Sequence, residues 1–434
     1  MTRSAYSLIA NAVATSVLGL GFWLAAARLF PAREVGEDSA LIAAMTVLSV
    51  VGQLDLGDVL IRFLPAAGRL TTRLVIGAYV TAVGASLFLS IGFVVLAPRW
   101  SSSLGFLGQS TSLATTFCAI ASLWAVFSLQ DYVLIATHRA PWVAVENSVF
   151  GVLKLAALPI LLVAGTSHAV FVAWVGPVIL LIVVVSLFLA RRVIPSHARR
   201  QSELNLDPVP VRRGFLIRFV AFNYLATLLN QLAARLLPVL VVVALGATSN
   251  AYFYIAFTIV TAFDLLFQNV TMSLVVEASA DEQHLKDLTQ QLVRRFLVFV
   301  AVGGAFIIIA APLLLLPFGQ AYADNGAPVL RLLVLGSGFR AILALFGAVA
   351  RVRGHTSWLL VTYVGLAVLL LPLAVILIGR VGLNGVALAW LIAHAVVGSA
   401  VLWPMVRLLR TPWSGAPMFE PSRGDAVAQE NQPG

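Results

Sequence analysis

Eight ionisable side chains stand inside stretches that are otherwise apolar: Asp55, Asp58, Arg62, Asp131, Lys154, Arg235, Asp264 and Arg340. An ionised group at the centre of a bilayer costs roughly 2.5–3.5 kcal/mol on insertion scales, so such residues face a cavity or a partner. Asp55, Asp58 and Arg62 are spaced by three and four residues and so share one helical face. They read as an Asp58–Arg62 ion pair, or as a polar stripe on a cavity wall with Asp55 left for a ligand. Arg235 lies deep in its stretch beside Asn223, Asn230 and Gln231, too far from either end to snorkel. Facing a cavity, its planar fork suits a bidentate oxyanion. Its structural alternative is a salt bridge to Asp264 or Asp55. Gln268 and Asn269 extend a polar face from Asp264, Asp131 with Gln130 faces a pairing with Lys154, and Arg340 has no acid nearby on its own stretch. The carboxylates Asp55, Asp58, Asp131 and Asp264 are the candidates for taking up a coupling ion. Arg62, Arg235, Arg340, Asn230, Gln231 and Asp55 are the candidates for substrate contact.

Other chemistry is thinly represented. No two of the six histidines have metal-ligand spacing such as HExxH, so no metal site is read. His394 stands alone in an apolar stretch and the rest fall in connections. The only lysines, Lys154 and Lys286, do not end a glycine-rich phosphate loop, which argues against a nucleotide-driven pump, and no cofactor motif appears. The longest outer connection, Pro98 to Ser110, holds one charge and no acid or histidine, which argues against a membrane enzyme.

The elements that carry these residues are membrane spans. Crossing about 30 Å of hydrocarbon takes about 20 apolar residues as a helix. A chain that is 60% hydrophobic and 11% charged cannot keep such a surface in water. Runs such as Val178 to Ala190 show no period-two alternation, so the spans are helices rather than barrel strands. Twelve are expected: 6–29, 38–63, 74–97, 111–136, 147–166, 168–190, 217–244, 249–276, 296–317, 327–350, 357–379 and 382–407. Tight turns are expected around Thr166–His168 and Arg380–Val381. The arginines concentrate in alternate connections, with Arg191, Arg192, Arg199, Arg200, Arg212 and Arg213 in the densest group. The positive-inside rule therefore puts both termini in the cytoplasm. The formal charge of +10 is mostly this topology and attraction to anionic lipid, not nucleic-acid binding. The single cysteine, Cys118, excludes an internal disulfide. The first apolar stretch runs past Trp23 without a cleavage site and reads as an uncleaved first helix.

The organisation is all-α with two six-helix lobes, 1–190 and 216–410. A basic cytoplasmic linker covers 191–215 and a disordered tail 411–434. Weak echoes between the halves, such as Arg139-Ala140-Pro141-Trp142 against Arg353-Gly354-His355 and Trp358, suggest a parallel repeat common in secondary transporters. Between 279 and 296, Leu285, Leu288, Leu292 and Phe296 fall on one face, as in a helix lying on the inner membrane surface.

Several motifs resemble the bacterial polysaccharide-biosynthesis flippases. These are the O-antigen-type branch of the superfamily that also holds multidrug-and-toxin extruders and lipid II flippases. They are Phe22-Trp23-Leu24-Ala25-Ala26-Ala27-Arg28-Leu29-Phe30-Pro31 with Val35-Gly36, Leu60-Ile61-Arg62-Phe63-Leu64-Pro65, and Leu129-Gln130-Asp131-Tyr132 through His138-Arg139-Ala140. Ala251-Tyr252-Phe253-Tyr254-Ile255-Ala256 and Ser273-Leu274-Val275-Val276-Glu277-Ala278-Ser279 complete the match, which extends over about 1–410. The resemblance implies two lobes around a central cavity in the bacterial inner membrane. It also implies alternating access and transfer of an undecaprenyl-pyrophosphate-linked glycan. The arginines would hold pyrophosphate, and Asp55 a cation or a sugar. Implied partners are the lipid-linked oligosaccharide or polysaccharide precursor and membrane lipids, with glycan polymerase or glycosyltransferases as candidates. The competing readings are a cation-coupled multidrug exporter of the related branch and, less well supported, a polytopic glycan-modifying enzyme.

Overall fold

A computed structural model describes residues 2–100, 107, 110–203, 213–278, 285–352 and 356–410. The tail and the middle of the linker lie outside the described residues. Every described element is helical, with no strand among the described residues. In order these are α1 (Thr2–Leu29), α2 (Ala32–Gly52), α3 (Leu56–Phe63), α4 (Thr71–Trp100), α5 (Thr111–Ala136), α6 (Ala140–Val163), α7 (Ala169–Phe188) and α8 (Ile194–Glu203). The remainder are α9 (Arg213–Leu245), α10 (Ala247–Ala278), α11 (Leu285–Leu315), α12 (Gln320–Val352), α13 (Thr356–Val381), α14 (Leu383–Ala400) and α15 (Leu402–Arg410). Nine of the helices among the described residues are long and apolar enough to cross a membrane. Their outward faces carry large apolar side chains such as Phe88, 78% exposed, and Ile309, 80% exposed. Only hydrocarbon satisfies such faces, and the helices satisfy their own backbone groups.

Helices α1 to α8 pack mainly among themselves, α1 on α6 and α4 on α5, and α9 to α15 do the same, α12 on α10 and α14. The two sets meet chiefly through α2, which lies against α9 and α10, and through α1 against α10.

Three stretches differ from the sequence expectation. The second span is broken: α2 stops at Gly52, Leu54 and Asp55 take positive φ of 49° and 59°, and α3 starts at Leu56. Left-handed backbone at a leucine is a strained conformation that tertiary packing must impose. The packing is visible on both sides of the break. A Cβ on Gly52 would fall 2.1 Å from Ser86 Oγ of α4, and one on Gly57 would fall 2.8 Å from the Tyr132 ring of α5. The start of the linker is helical, because α7 continues through a π-turn at Leu189–Val193 into α8. The segment expected to lie on the membrane surface runs instead into the ninth span as one helix, Leu285–Leu315.

Candidate functional site

Connected helices fold back on each other, so residues equally far from a turn reach equal depth, at about 1.5 Å per residue. Arg235 lies eleven residues before Gly246, the α9–α10 turn, and Tyr254 lies eight after it. The three-residue offset, about 4.5 Å, is within the reach of an arginine side chain, and the guanidinium lies within electrostatic reach of Tyr254 and, from the other helix set, of Tyr132 of α5. Tyr132 also lies within electrostatic reach of Asp55, Asp58 and Asp131. This ring, seated on Gly57, thus feels the charge of Arg235, Asp55, Asp58 and Asp131 alike. Arg235 is half-buried and pairs with no carboxylate among the described residues. Gln231 stands one turn before Arg235 and is also half-buried. Asp55 is half-buried at the break, with its Oδ2 atom enclosed and without a donor. Asp58 and Arg62 are exposed on α3, with Arg62 5.8 Å from the Phe63 ring. The side chains of Asn223, Asn230, Gln268 and Asn269 lie outside the described residues.

Besides Arg235–Asp55, two pairings considered from the sequence do not form. Asp264 lies eighteen residues after Gly246, so it is seven residues, or about 10 Å, out of register with Arg235. Arg340 of α12 takes that carboxylate instead, donating from Nη1 to Asp264 Oδ2. Arg340 is therefore a paired cation in the second set and does not join the arginine–tyrosine group. Its guanidinium also lies 5.5 Å from the Trp390 ring, and His394 Nδ1 is bonded to the Trp390 carbonyl at 2.8 Å. Lys154 does not reach Asp131 either. It lies about fifteen residues beyond the Arg139 turn, against eight for Asp131 before it, and is some 10 Å too deep. Its ammonium sits among rings, 3.7 Å from the Trp174 centroid, 4.8 Å from Phe150 and 5.1 Å from Phe22. Asp131 Oδ2 accepts from Asn147 Nδ2 at 3.3 Å.

One residue that sequence reading passed over is Glu146. The fifth span was expected to start at 147, yet α6 starts at Ala140, which carries Glu146 inside. It is 4% exposed and neither carboxylate oxygen has a partner.

One end of the bundle is tightly closed between the two sets. Asn250 at the start of α10 is fully buried and donates from Nδ2 to Gly36 O at 2.9 Å and to Ser39 Oγ at 3.0 Å. Gly36 approaches so closely that a Cβ there would fall 1.8 Å from Ala247 O. Arg28 of α1 donates to the carbonyls of Leu316 and Pro317 in the turn before α12. Trp23 of α1 packs on Tyr254 with ring centroids 4.6 Å apart. The same end of α2 is anchored within its own set. Asp38 accepts from Phe171 N at 3.0 Å and meets His168 Nδ1 at 2.7 Å, and Glu34 accepts from Ala169 N at 3.4 Å. These acids satisfy backbone donors at the start of α7 that no helical partner can reach. The Asp38 hydrogen bond holds the His168 imidazole above its ordinary titration range.

No family model and no curated protein matches the sequence. Solved structures do match. One is described as a multidrug resistance MATE family transporter of the MOP superfamily in an inward-facing conformation, with TM-score 0.64, 18% identity, 91% of this chain and 94% of that one. Another is the lipid II flippase MurJ in an inward closed conformation, with TM-score 0.64, 14% identity, 92% of this chain and 89% of that one. A MATE family transporter in an outward-facing conformation scores 0.58 at 15% identity over 94% and 96% of the chains. At these identities the likeness is one of fold: an all-α polytopic membrane architecture of the kind MOP superfamily transporters have.

Proposed function

We propose that the protein is a secondary transporter that moves a polyprenyl-pyrophosphate-linked glycan across the bacterial inner membrane by alternating access. Two six-helix lobes, 1–190 and 216–410, rock about the contacts of α1 and α2 with α9 and α10, and the linker 191–215 joins them on the cytoplasmic side. The tightly closed end, with Gly36, Ser39 and Asn250, is then the outer gate. The higher similarity to an inward-facing MATE transporter and to an inward closed flippase supports that assignment.

The observation that carries the reading is Arg235, a cation held half-buried in mid-span, with tyrosines from both helix sets beside it and no carboxylate partner among the described residues. A fixed guanidinium binds a pyrophosphate by two parallel hydrogen bonds and repels a cationic drug. The tyrosine rings offer apolar faces and hydroxyls to sugars, and Asp55 and Gln231 offer hydrogen-bonding groups. The multidrug reading draws on Asp55 and Asp58, which suit cationic drugs, but places Arg235 where it opposes them. Arg340 is not needed for the substrate, since Asp264 occupies it.

Replacing Arg235 tests the reading. Arg235→Lys keeps the charge and loses the fork, so glycan export should fall at least about tenfold, the equivalent of 1.4 kcal/mol, at unchanged abundance. Arg235→Ala should be worse. Normal export in Arg235→Ala would remove the phosphate role.

A further inference from the structure

The hairpin α5–α6 turns at Thr137–Arg139. Asp131 stands about seven residues before the centre of that turn and Glu146 about seven after it, so both carboxyls lie roughly 10 Å into the bundle at one depth. Each is close enough to feel the other's charge, and Tyr79 of α4 lies within reach of both. Both oxygens of Glu146, Oδ1 of Asp131 and the Tyr79 hydroxyl are enclosed without hydrogen-bond partners. Asn147 supplies one donor, to the other Asp131 oxygen. Among the described residues no cation reaches either carboxyl. Lys154 shares α6 but is held two turns further on by its rings; α4 brings Tyr79, with Arg73 and Arg99 exposed toward its two ends. Helix α5 brings Tyr132 and the distant Cys118 besides Asp131; α3 brings the exposed Asp58 and Arg62; Arg28 lies at the far end of α1; and α7 brings no titratable group along its length.

Two ionised carboxylates in so enclosed a place would repel each other with no solvent to relieve them, and desolvation alone drives such a group to its neutral form. A metal cation is a poorer occupant. Among the described residues no three acids, histidines or cysteines converge, and the amide that faces Asp131 is a donor. A hard cation takes about six oxygen ligands. A proton needs one.

We infer that Asp131 and Glu146 form a proton-binding site in the first helix set, one proton being held between the two carboxyl groups, and that its occupancy is linked to the closing of the gate at Gly36 and Asn250. Release leaves a carboxylate and passes the proton to water, with no electron moved. The link to the gate runs through packed helices: α6 lies on α1, and α1 and α2 carry the contacts to the second set. The proton site stands independently of what is transported, while its use as the coupling ion rests on the transport reading above.

Purified protein without substrate, in lipid nanodiscs, supplies the test. Infrared difference spectra between acidic and alkaline buffer should show a protonated carboxyl stretch that Glu146→Gln abolishes. Asp131→Asn should move its pH midpoint. The gate is read as the distance between spin labels at Arg33→Cys and Thr248→Cys in a Cys118→Ser, His168→Gln background, which removes the histidine's own titration. That distance should depend on pH with Glu146 and lose the dependence in Glu146→Gln, whose neutral amide mimics the protonated form. Glu146→Asp should restore a pH dependence with a shifted midpoint, which separates titration from misfolding. A carboxyl band untouched by Glu146→Gln, or a gate response identical with and without Glu146, would overturn the inference. So would a response to sodium at constant pH that only wild type shows. None of these outcomes bears on the Arg235 test, so the two failures remain distinguishable.

Discussion

Two arginines of equal depth in the sequence have opposite fates in the fold, and register decides which. Arg340 meets Asp264 across the α10–α12 contact, and Asp264 is 3% exposed. Removing one partner of such a pair strands a buried charge, typically at 3–5 kcal/mol, whereas removing both is often nearly neutral. Arg340→Ala should therefore lower stability in detergent by about 3 kcal/mol, and Arg340→Ala with Asp264→Ala should recover most of it. A double-mutant cycle with no coupling would show that the pair does not form in the membrane. Arg235 has no such acid to remove, so Asp264→Ala should not rescue Arg235→Ala. The sequence showed that both arginines were buried in spans, because length and apolar context show that directly. It did not show which acid each would meet, because that depends on helix register around turns whose positions were uncertain by several residues. The same uncertainty hid Glu146, since an error of seven residues in the start of α6 put a buried acid into a loop. Symmetric spacing of Asp131 and Glu146 about His138–Arg139 was the signal available.

At the scale of elements, α2 does the work of two. Its first turns are shared between α7 of its own set and α10 of the other, and its end breaks at Leu54–Asp55 to aim α3 at Tyr132. A discontinuous helix in a membrane is tolerated where its freed backbone is buried in protein or faces a cavity. The sequence pattern Gly52-Gln53-Leu54-Asp55-Leu56-Gly57 reads as a continuous span with two glycines, because what those glycines admit, the close approach of Ser86 and Tyr132 from α4 and α5, is tertiary and not a matter of local propensity. The all-helical architecture and its long apolar helices were legible for the opposite reason: hydrophobic length is a local property. Gly36 supplies the test of the gate. Any side chain there meets the Ala247 carbonyl, and no rotamer relieves a Cβ at 1.8 Å from backbone. Gly36→Val should hold the two helix ends apart, lengthening the distance between labels at Arg33 and Thr248 and, on the proposed transport reading, arresting export with the protein still folded. An unchanged distance would mean that α2 and α10 do not meet in the membrane.

Over the whole molecule, alternating access, as proposed above, demands that the contacts between the sets be breakable, while those within each set hold. The closed end divides along that line. Between the sets run neutral hydrogen bonds from Asn250 and the Arg28 contacts to carbonyls, each worth about 1–3 kcal/mol. Within the first set, Asp38 and Glu34 fasten α2 to α7 through carboxyl acceptors, and His168 joins Asp38 at 2.7 Å. The fastening carries a pH dependence of determinate sign. His168 titrates above its ordinary 6.5 in the folded protein, chiefly through its hydrogen bond to Asp38. A group whose folded value is raised stabilises the fold fully below its unfolded value and loses that contribution as pH rises through the folded one. Thermal unfolding in detergent should thus occur at lower temperature as pH is raised from below 6.5 through the neutral range. His168→Gln should flatten that part of the profile, leaving the mutant closer to wild type at high pH than at low. In the Glu146→Gln background, which silences the carboxyl pair, the His168 component should persist, since the two sites sit near opposite ends of α6. A profile that falls equally with and without His168 would assign the pH dependence elsewhere and leave α2 held by Asp38 and Glu34 on the α7 backbone alone.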